Sequence, residues 1–266
     1  MLVLGKGAYL GKVLDLSQAE GILAGVTSYQ QGDGAGRMHY HENSHLSFVL
    51  RGGGVEKRRA SEFERLPGQI MFFHAGESHQ CLNKLFPAQN INLEIEAVFL
   101  SDNHMTESDL NASVLKNPSS KFIMLKVYKE LLAGDDFSSS SIKMLLLNLV
   151  SSANPKTYSE EAIPLWVNVI KEMLNDRWNE LVSLKDLSEA VGLHPVTISR
   201  FFPKYFSCTF GEYMRRLKVE RALELIKTSS TSLTEIAHEC GFSDQSHFTR
   251  TFKQLTGFLP TQYSRL

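Results

Sequence analysis

Ser232-Leu233-Thr234-Glu235-Ile236-Ala237-His238-Glu239-Cys240-Gly241-Phe242-Ser243-Asp244-Gln245-Ser246-His247-Phe248-Thr249-Arg250-Thr251-Phe252-Lys253 decides how this chain is read, because it spells one compact unit that the sequence contains twice. Leu233, Ile236 and Ala237 share one face at helical spacing. Gly241 supplies the residue that ends such a helix, and Ser243 is placed to cap the next, with Asp244 in its first turn. Phe248 and Phe252, four residues apart, point inward together. Forty-nine residues upstream the same pattern recurs: Ser183-Leu184 for Ser232-Leu233, Asp186-Leu187 for Glu235-Ile236, and Gly192-Leu193 for Gly241-Phe242. One residue is then inserted, so that Arg200 answers Arg250, Phe202 answers Phe252, and Tyr213 answers Tyr263. Repetition at this period marks one supersecondary unit used twice.

Each copy reads as a short helix, a turn carrying Gly, and a second helix, an arrangement whose second helix can enter a major groove. Between the copies, Phe210 to Ile226 contains no Gly beyond Gly211 and no Pro, and predicts one continuous helix. Such a helix holds the two units at a fixed separation. On one face and ~34 Å apart, their second helices fit successive major grooves. A helical repeat used only for protein contacts is the alternative, disfavoured by the polar outer face of each second helix.

The run from Ile236-Ala237 through Gly241–Lys253, followed by Pro260, Gln262 and Tyr263, resembles the signature of AraC/XylS-type transcription regulators, and the likeness extends back to Leu184. The resemblance implies a monomeric DNA-binding domain with two helix-turn-helix units. Carried over position by position, it makes Val196, Ser199 and Arg200 base-facing in the first unit, and Gln245, Ser246 and Arg250 in the second. The chemistry agrees: Arg takes guanine O6/N7 bidentately, Gln suits adenine, Ser is permissive, and Val meets a thymine methyl. Lys204, Thr249 and Lys253 suit phosphates, which position a protein without reading sequence. Phe202, Phe248, Phe252 and Tyr263 are read as core.

The first unit departs from the family pattern. Pro203 stands where a basic residue is usual, and Ser207 where Gly is usual. A proline lacks its N–H and clashes with the preceding turn, so the first recognition helix is expected to end early or kink near Phe202. His194 replaces the preferred Ser/Thr cap, with Pro195 at a tolerated first-turn position.

The whole-chain figures conceal this organisation. The 266 residues carry 28 basic and 29 acidic side chains, a net charge of −1 that by itself argues against nucleic acid. Divided, residues 1–162 hold 15 and 18 (net −3), and residues 163–266 hold 13 and 11 (net +2), with six basic residues against two acidic ones from Arg200 to Arg221. Length predicts about two domains, and 42% hydrophobic residues with 21% charged exclude wholesale disorder. Three scattered cysteines, Cys81, Cys208 and Cys240, make neither a disulfide framework nor a CxxC zinc site and suit a reducing cytosol. Lys6, Lys12 and Asp15 interrupt any signal-peptide core, and no apolar run reaches a membrane span, so a cytoplasmic protein without membrane contact is expected.

Residues 1–100 follow another period. Asn90-Ile91-Asn92-Leu93-Glu94-Ile95-Glu96 alternates strictly, as a half-buried strand does. Leu46–Leu50, Gln69–Phe73 and His79–Leu85 are further strands, divided by turns at Gly52-Gly53-Gly54, Pro67-Gly68 and Gly76. Many short strands with regular turns predict a sandwich or barrel. Five of the nine histidines lie between His39 and His79. His39 and His41 share one face of an extended strand, His45 can join them after a bend, and His79 can arrive from a facing strand; imidazoles of this kind suit Zn, Ni, Fe or Cu.

The spacing His39-x-His41, three residues, His45, six residues, Gly52 resembles the first cupin motif, with His45 where that family has Glu. Gly68, five residues, His74, one residue, Gly76, two residues, His79, three residues, Asn83 resembles the second, with His74 replacing Pro. A cupin implies a small β-barrel that accepts a small molecule, with His39, His41, His45 and His79 as ligands of a divalent metal. The same motif can also persist as strand packing without metal. His74, His104 and Cys81 are read as structural or exposed. Residues 107–152 turn helical, Phe122–Leu132 and Ile142–Val150 being amphipathic, and Ser151–Lys156 reads as a linker; these helices suit either a dimer surface or packing back onto the barrel.

The expected protein is α+β: a cupin-like all-β barrel at 1–105, linking or dimerisation helices and linker at 106–160, and an all-α DNA-binding domain with two helix-turn-helix units at 161–266. It is expected to be a regulator, not an enzyme, with promoter DNA, a small-molecule effector, RNA polymerase and a second copy of itself as partners. The alternative is a metal-dependent cupin enzyme, a dioxygenase or isomerase, carrying a helical appendage. Against it, a four-His site leaves fewer open positions than catalysis prefers, and no acid/base pair stands out.

Overall fold

The computed structural model describes residues 1–33, 36–151 and 163–266, the side chains of Lys116 and Ser151 excepted. Two compact units result, Met1–Asn154 and Pro155–Arg265.

The first unit opens with eight strands: β1 (Leu2–Leu4), β2 (Lys12–Ala19), β3 (Ile22–Tyr29), β4 (His39–His41), β5 (Ser44–Arg58), β6 (Ser61–Arg65), β7 (Ile70–Phe73) and β8 (His79–Ile95). They form a curled sheet in the order β1-β4-β8-β3-β2, with β5 pairing β6, β7 and β8. β5 and β8 run antiparallel along almost their whole lengths, from Ser44 opposite Ile95 to Arg58 opposite His79. The far end of β8, Ala88–Ile95, is also paired with β3, so it lies between two neighbours. Such a central strand needs apolar residues, and Ile91, Leu93 and Ile95 are buried with Ile22, Ala24, Val26, Leu46 and Phe48.

Two sequence expectations are corrected here. Gly52-Gly53-Gly54 is not a turn: it lies inside β5, where the register shifts against β8. A Cβ on Gly54 would come within 1.9 Å of the Leu82 carbonyl oxygen, and one on Gly53 within 2.5 Å of that of Arg65. The glycines therefore let three backbones crowd together while the strand bends, as bulges do. The two strands expected at His79–Leu85 and from Asn90 onward are likewise one strand, β8, because β5 pairs through both.

Four helices follow: α1 (Ala97–Asp102), α2 (Glu107–Lys116), α3 (Ser120–Ala133) and α4 (Ser138–Ser151). α1 had no sequence signal and has no side-chain cap. α2 starts at a capping box, Thr106 with Asp109. α3 and α4 pack on each other and on the sheet, where Ser139 Oγ lies 3.2 Å from Ser17 Oγ. Their apolar faces, including Phe122, Leu125, Ile142 and Leu146, are buried. Beyond Ser151, the predicted linker lies outside the described residues.

The second unit is helical: α5 (Leu165–Asp176), α6 (Leu184–Val191), α7 (Pro195–Phe206), α8 (Phe210–Thr228), α9 (Leu233–Glu239), α10 (Gln245–Thr256) and α11 (Pro260–Arg265). The repeat shows in its start signals: α6, α8 and α9 each open on a capping box, Ser183 with Asp186, Thr209 with Glu212, and Ser232 with Glu235. Asp244, not Ser243, caps α10: its extended backbone lets the carboxylate accept from the His247 N–H at 2.7 Å. His194 caps α7, its Nδ1 accepting from the Val196 N–H at 3.3 Å.

α7 does not end at Phe202; it continues through Pro203 to Phe206. Pro203 and Ser199 are both exposed, so the carbonyl that loses its N–H partner faces water and one missing bond is tolerated. Ser207 then closes the helix in the left-handed conformation, φ 56°. That region disfavours a side chain, so Ser207→Gly should stabilise this unit by roughly 0.5–1 kcal/mol, net of the greater freedom glycine gives the unfolded chain. Both tryptophans, Trp166 and Trp178, lie in this unit, so a urea titration followed by tryptophan fluorescence reads the shift directly.

Each helix pair has its own aromatic core. Phe202 and Phe206 stack with centroids 4.1 Å apart and meet Tyr213, beside Leu187 and Ile198. In the second pair Phe242, Phe248, Phe252 and Tyr263 form a chain of contacts at 5.2–5.7 Å.

Candidate functional site

Val196, Ser199 and Arg200 sit on α7 at helical spacing on one face, and all three are exposed. Val196 is 67% exposed. Phe202 and Ile198 occupy the opposite, buried face. Lys204, one turn after Arg200, is half-buried, its Nζ 5.2 Å from the centre of the Tyr205 ring. α10 repeats the arrangement: Gln245, Ser246, Arg250 and Lys253 are exposed and Thr249 half-exposed, while Phe248 and Phe252 are fully buried behind them. The structure thus sorts the predicted contact residues onto the outer faces of both second helices. It adds one detail: Thr234 Oγ donates to Gln245 Oε1 at 2.9 Å, leaving the Gln245 amide N–H groups pointing outward as donors.

The turns that aim these helices depend on glycine. Gly192 has φ +68° and space around its α-carbon; Gly241 has φ +68° and none, since a Cβ would lie 2.2 Å from the Asn179 carbonyl oxygen and 2.9 Å from Lys218 Nζ. Lys218, a buried cation whose pKa burial lowers, donates to the Gly241 carbonyl at 2.7 Å. Sequence reading missed Lys218, because a Lys three residues from both Arg215 and Arg221 reads as part of a solvated basic face.

In the first unit β4 places His39 and His41 on one buried face, and the pairing of His39 with His79 brings in β8. Ligand atoms of His39, His41 and His79 all lie within 4.8 Å of one another. His45, on β5, stands beside this trio: its ring centroid is 4.3 Å from that of His41 and 4.6 Å from that of Phe73, against which it stacks. Nδ1 of His39 faces the Arg37 carbonyl at 2.8 Å and Nδ1 of His79 faces the Glu77 carbonyl at 2.9 Å. These contacts fix the Nδ1–H tautomer and leave each Nε2 lone pair free, the preparation seen in metal-binding imidazoles. Burial lowers the pKa of all four, His41 to about 3 and His79 to about 4, so the rings are neutral at pH 7. A neutral, convergent set of imidazole donors fits a divalent transition metal.

The cavity beside the trio is about 30 Å³, which admits a small polar molecule and no bulky one. Arg65, Tyr29, Cys81, Asn83, Asn90 and Asn92 line it with the histidines. Cys81 Sγ donates to Glu56 Oε2 at 2.9 Å, and burial pushes Glu56 up to about 7. Glu56, His79 and Cys81 also have ligand atoms within 4.8 Å of one another, while burial raises the Cys81 pKa and keeps its thiol protonated. Reading the strand alternation further would have found it, since His79, Cys81 and Asn83 share one face. His74 is structural, as expected: its Nδ1 meets Glu107 Oε2 at 2.9 Å, tying β7's end to α2.

Comparison with known proteins bears on the second unit most strongly. Residues 187–266 match a family model described as a helix-turn-helix domain. The HTH-type transcriptional regulator YijO of Escherichia coli K12 is 29% identical over 96 residues, 36% of this chain and 34% of that protein, so the match spans about a third of its length. RhaS of Shigella sonnei, an HTH-type transcriptional activator, is 21% identical over 239 residues, 84% of this chain and 85% of that protein. A solved transcriptional regulator from Chromobacterium violaceum with an AraC-type DNA-binding domain is 24% identical, covering 38% of this chain and 89% of its own at a TM-score of 0.36. These relatives are named as regulators of transcription, not as enzymes. The repeated capping boxes, the two aromatic cores and the residue match agree: the C-terminal unit of this chain carries a helix-turn-helix domain similar to those of transcriptional regulators.

Proposed function

We propose that the chain is a ligand-responsive regulator that binds promoter DNA through α7 and α10 and senses a small molecule or metal in a cupin-like first unit. The observation that carries this reading is the twofold array of exposed polar residues on second helices whose other faces are aromatic core. Val196, Ser199, Arg200, Gln245, Ser246 and Arg250 read base edges; Lys204, Thr249 and Lys253 meet phosphates. With its Oε1 engaged by Thr234, Gln245 is oriented to donate to adenine N7 and to accept from adenine N6–H through the second lone pair of Oε1. The net charge of +2 on residues 163–266 gives one copy a weak non-specific hold, so pairing of two copies raises the effective affinity. RNA polymerase is the partner through which a bound activator acts. No helix among the described residues is long and apolar enough to cross a membrane, in keeping with a cytoplasmic site of action.

Selection of bound duplexes from a random pool by the full chain tests the reading. Enrichment of a motif with two conserved clusters about one helical turn apart is the expected result; a pool that stays random after repeated rounds removes it.

His39, His41 and His79, with His45 adjacent, would hold the metal, which would supply an electrophilic coordination position inside the cavity. The chain's own part is to keep those imidazoles neutral and oriented. His41→Ala should abolish zinc binding at micromolar concentration, measured by competition with a chromophoric chelator, whereas His74→Ala should leave it unchanged. Retention of zinc by His41→Ala would show that the trio is packing alone. The effector acts on DNA affinity only through different affinities for two states of the protein.

A further inference from the structure

Arg65 ends β6 with its side chain 3% exposed, inside the first unit, and it is the Lys/Arg side chain among the described residues lining the cavity. A buried guanidinium ordinarily has its donors filled. Here Nη1 reaches Asn83 Oδ1 at 3.4 Å, and Nη2 reaches the Asn90 amide oxygen at 2.8 Å when that amide is oriented to donate to the Gln89 carbonyl. Nε has no hydrogen-bond partner among the described residues. The neighbouring carboxylate does not supply one: Glu56 Oε2 stays 3.8 Å from Nε and instead accepts from Cys81. A pair built only to neutralise itself would close to hydrogen-bonding distance.

The neighbouring Arg58, whose Nε is likewise without a hydrogen-bond partner among the described residues, does not line the cavity. Arg58 donates to Glu77 and to the Phe72 carbonyl and lies 4.6 Å from the centre of the Phe73 ring. Around Arg65 the lining is mainly amide, phenol and imidazole, Asn83, Asn90, Asn92, Tyr29 and His79, and its one carboxylate, Asp33, accepts from the Gln30 N–H at 2.7 Å. Mostly neutral groups around one half-satisfied guanidinium make an anion receptor of restricted size.

Resting on the sensor reading above, we propose that the molecule sensed in this cavity is a small monocarboxylate, its carboxylate engaged by the partly satisfied guanidinium of Arg65. Planar bidentate recognition suits guanidinium. A dianion such as phosphate is disfavoured, because Glu56 stands beside Arg65 and already offsets part of its charge. The cavity of about 30 Å³ excludes bulky acids. The histidine trio lines the same cavity, so an acid bound at Arg65 and a metal on the trio would share it.

The test uses the full chain, with sodium acetate, acetamide and sodium phosphate as probes. The Arg65 Nε–H resonance is followed in ¹⁵N spectra, alongside the thermal midpoint. Acetate is expected to move the Arg65 resonance and raise the midpoint, and acetamide and phosphate to do neither. The double variant Arg65→Gln with Glu56→Gln removes both charges together, which protects the fold; circular dichroism and zinc binding by the histidines check that it is intact. Acetate affinity should fall roughly tenfold or more in this variant, the loss expected for a hydrogen bond to a charged group. Equal binding of acetamide, tighter binding of phosphate, no binding of acetate, or unchanged acetate binding in the double variant would each overturn the proposal. A parallel DNA-affinity titration separates it from the sensor reading. Acetate bound at Arg65 with no change in DNA affinity refutes the sensor and keeps the ligand class. A neutral compound that shifts DNA affinity while acetate does not bind keeps the sensor and refutes the ligand class.

Discussion

Gly241→Ala should destabilise the C-terminal unit by roughly 2–5 kcal/mol, about 1–2 from the left-handed backbone and about 1–3 from overpacking. The added methyl would meet the Asn179 carbonyl oxygen at 2.2 Å and crowd Lys218 Nζ, whose bond to the Gly241 carbonyl is the buried cation's hydrogen bond. Gly192 is the internal control. It occupies the same place in the first helix pair with the same φ of +68°, yet a Cβ there meets nothing within 4 Å. Gly192→Ala should therefore show only the backbone penalty, about 1–2 kcal/mol. Urea midpoints from tryptophan fluorescence compare the two. Equal losses would mean that the contact with Asn179 relaxes freely and that the second turn is no tighter than the first.

Arg250→Ala should weaken binding to a selected duplex by about 1–3 kcal/mol and relax discrimination at one base pair, with other positions read as before. Arg250 is exposed on α10 with Phe248 and Phe252 buried behind it, so its loss leaves the helix packed. Lys253→Ala, one turn on, is expected to act otherwise: all sequences weaken alike, and the salt dependence becomes shallower by about one ion. Titrations of matched and single-mismatch duplexes at several salt concentrations tell a base reader from a phosphate contact. Uniform weakening by Arg250→Ala would move that residue to the phosphate class.

The helical unit was legible in the sequence because its signals are local. Capping pairs three residues apart, glycines at helix ends and aromatic residues four apart each act within one or two turns, and their repetition removed chance. Even so, Pro203 misled: the rule that proline breaks a helix holds where the lost bond is buried, and here the affected carbonyl faces water. The barrel-like sheet was legible in its periods but not in its connections. The alternation from Asn90 to Glu96 was read as a strand with one wet face, yet Asn90, Asn92 and Glu94 are all buried. Their polar face turns inward, where Asn92 donates to Thr27, and Glu94 accepts from Gly7, Tyr9 and Asn43. Period two tells that two faces differ; which of them meets water depends on the closure of the sheet, a long-range property. Gly52-Gly53-Gly54 was misread for the same reason, since the crowding that demands glycine comes from Leu82, Arg65 and Ala88, distant in sequence. Arg65 and Glu56 gave no local signal at all. The histidines did, because metal-type spacing is written along the chain.

The central claim, that α7 and α10 together hold and read DNA, is tested most directly by fluorescence anisotropy of the full chain on its selected duplex and a scrambled one across a salt series. The account predicts preference for the selected duplex and a linear fall of log affinity with log salt concentration, with a slope of about −3 to −5 for a few phosphate contacts per copy. Affinity that is indifferent to salt and equal on both duplexes would contradict it.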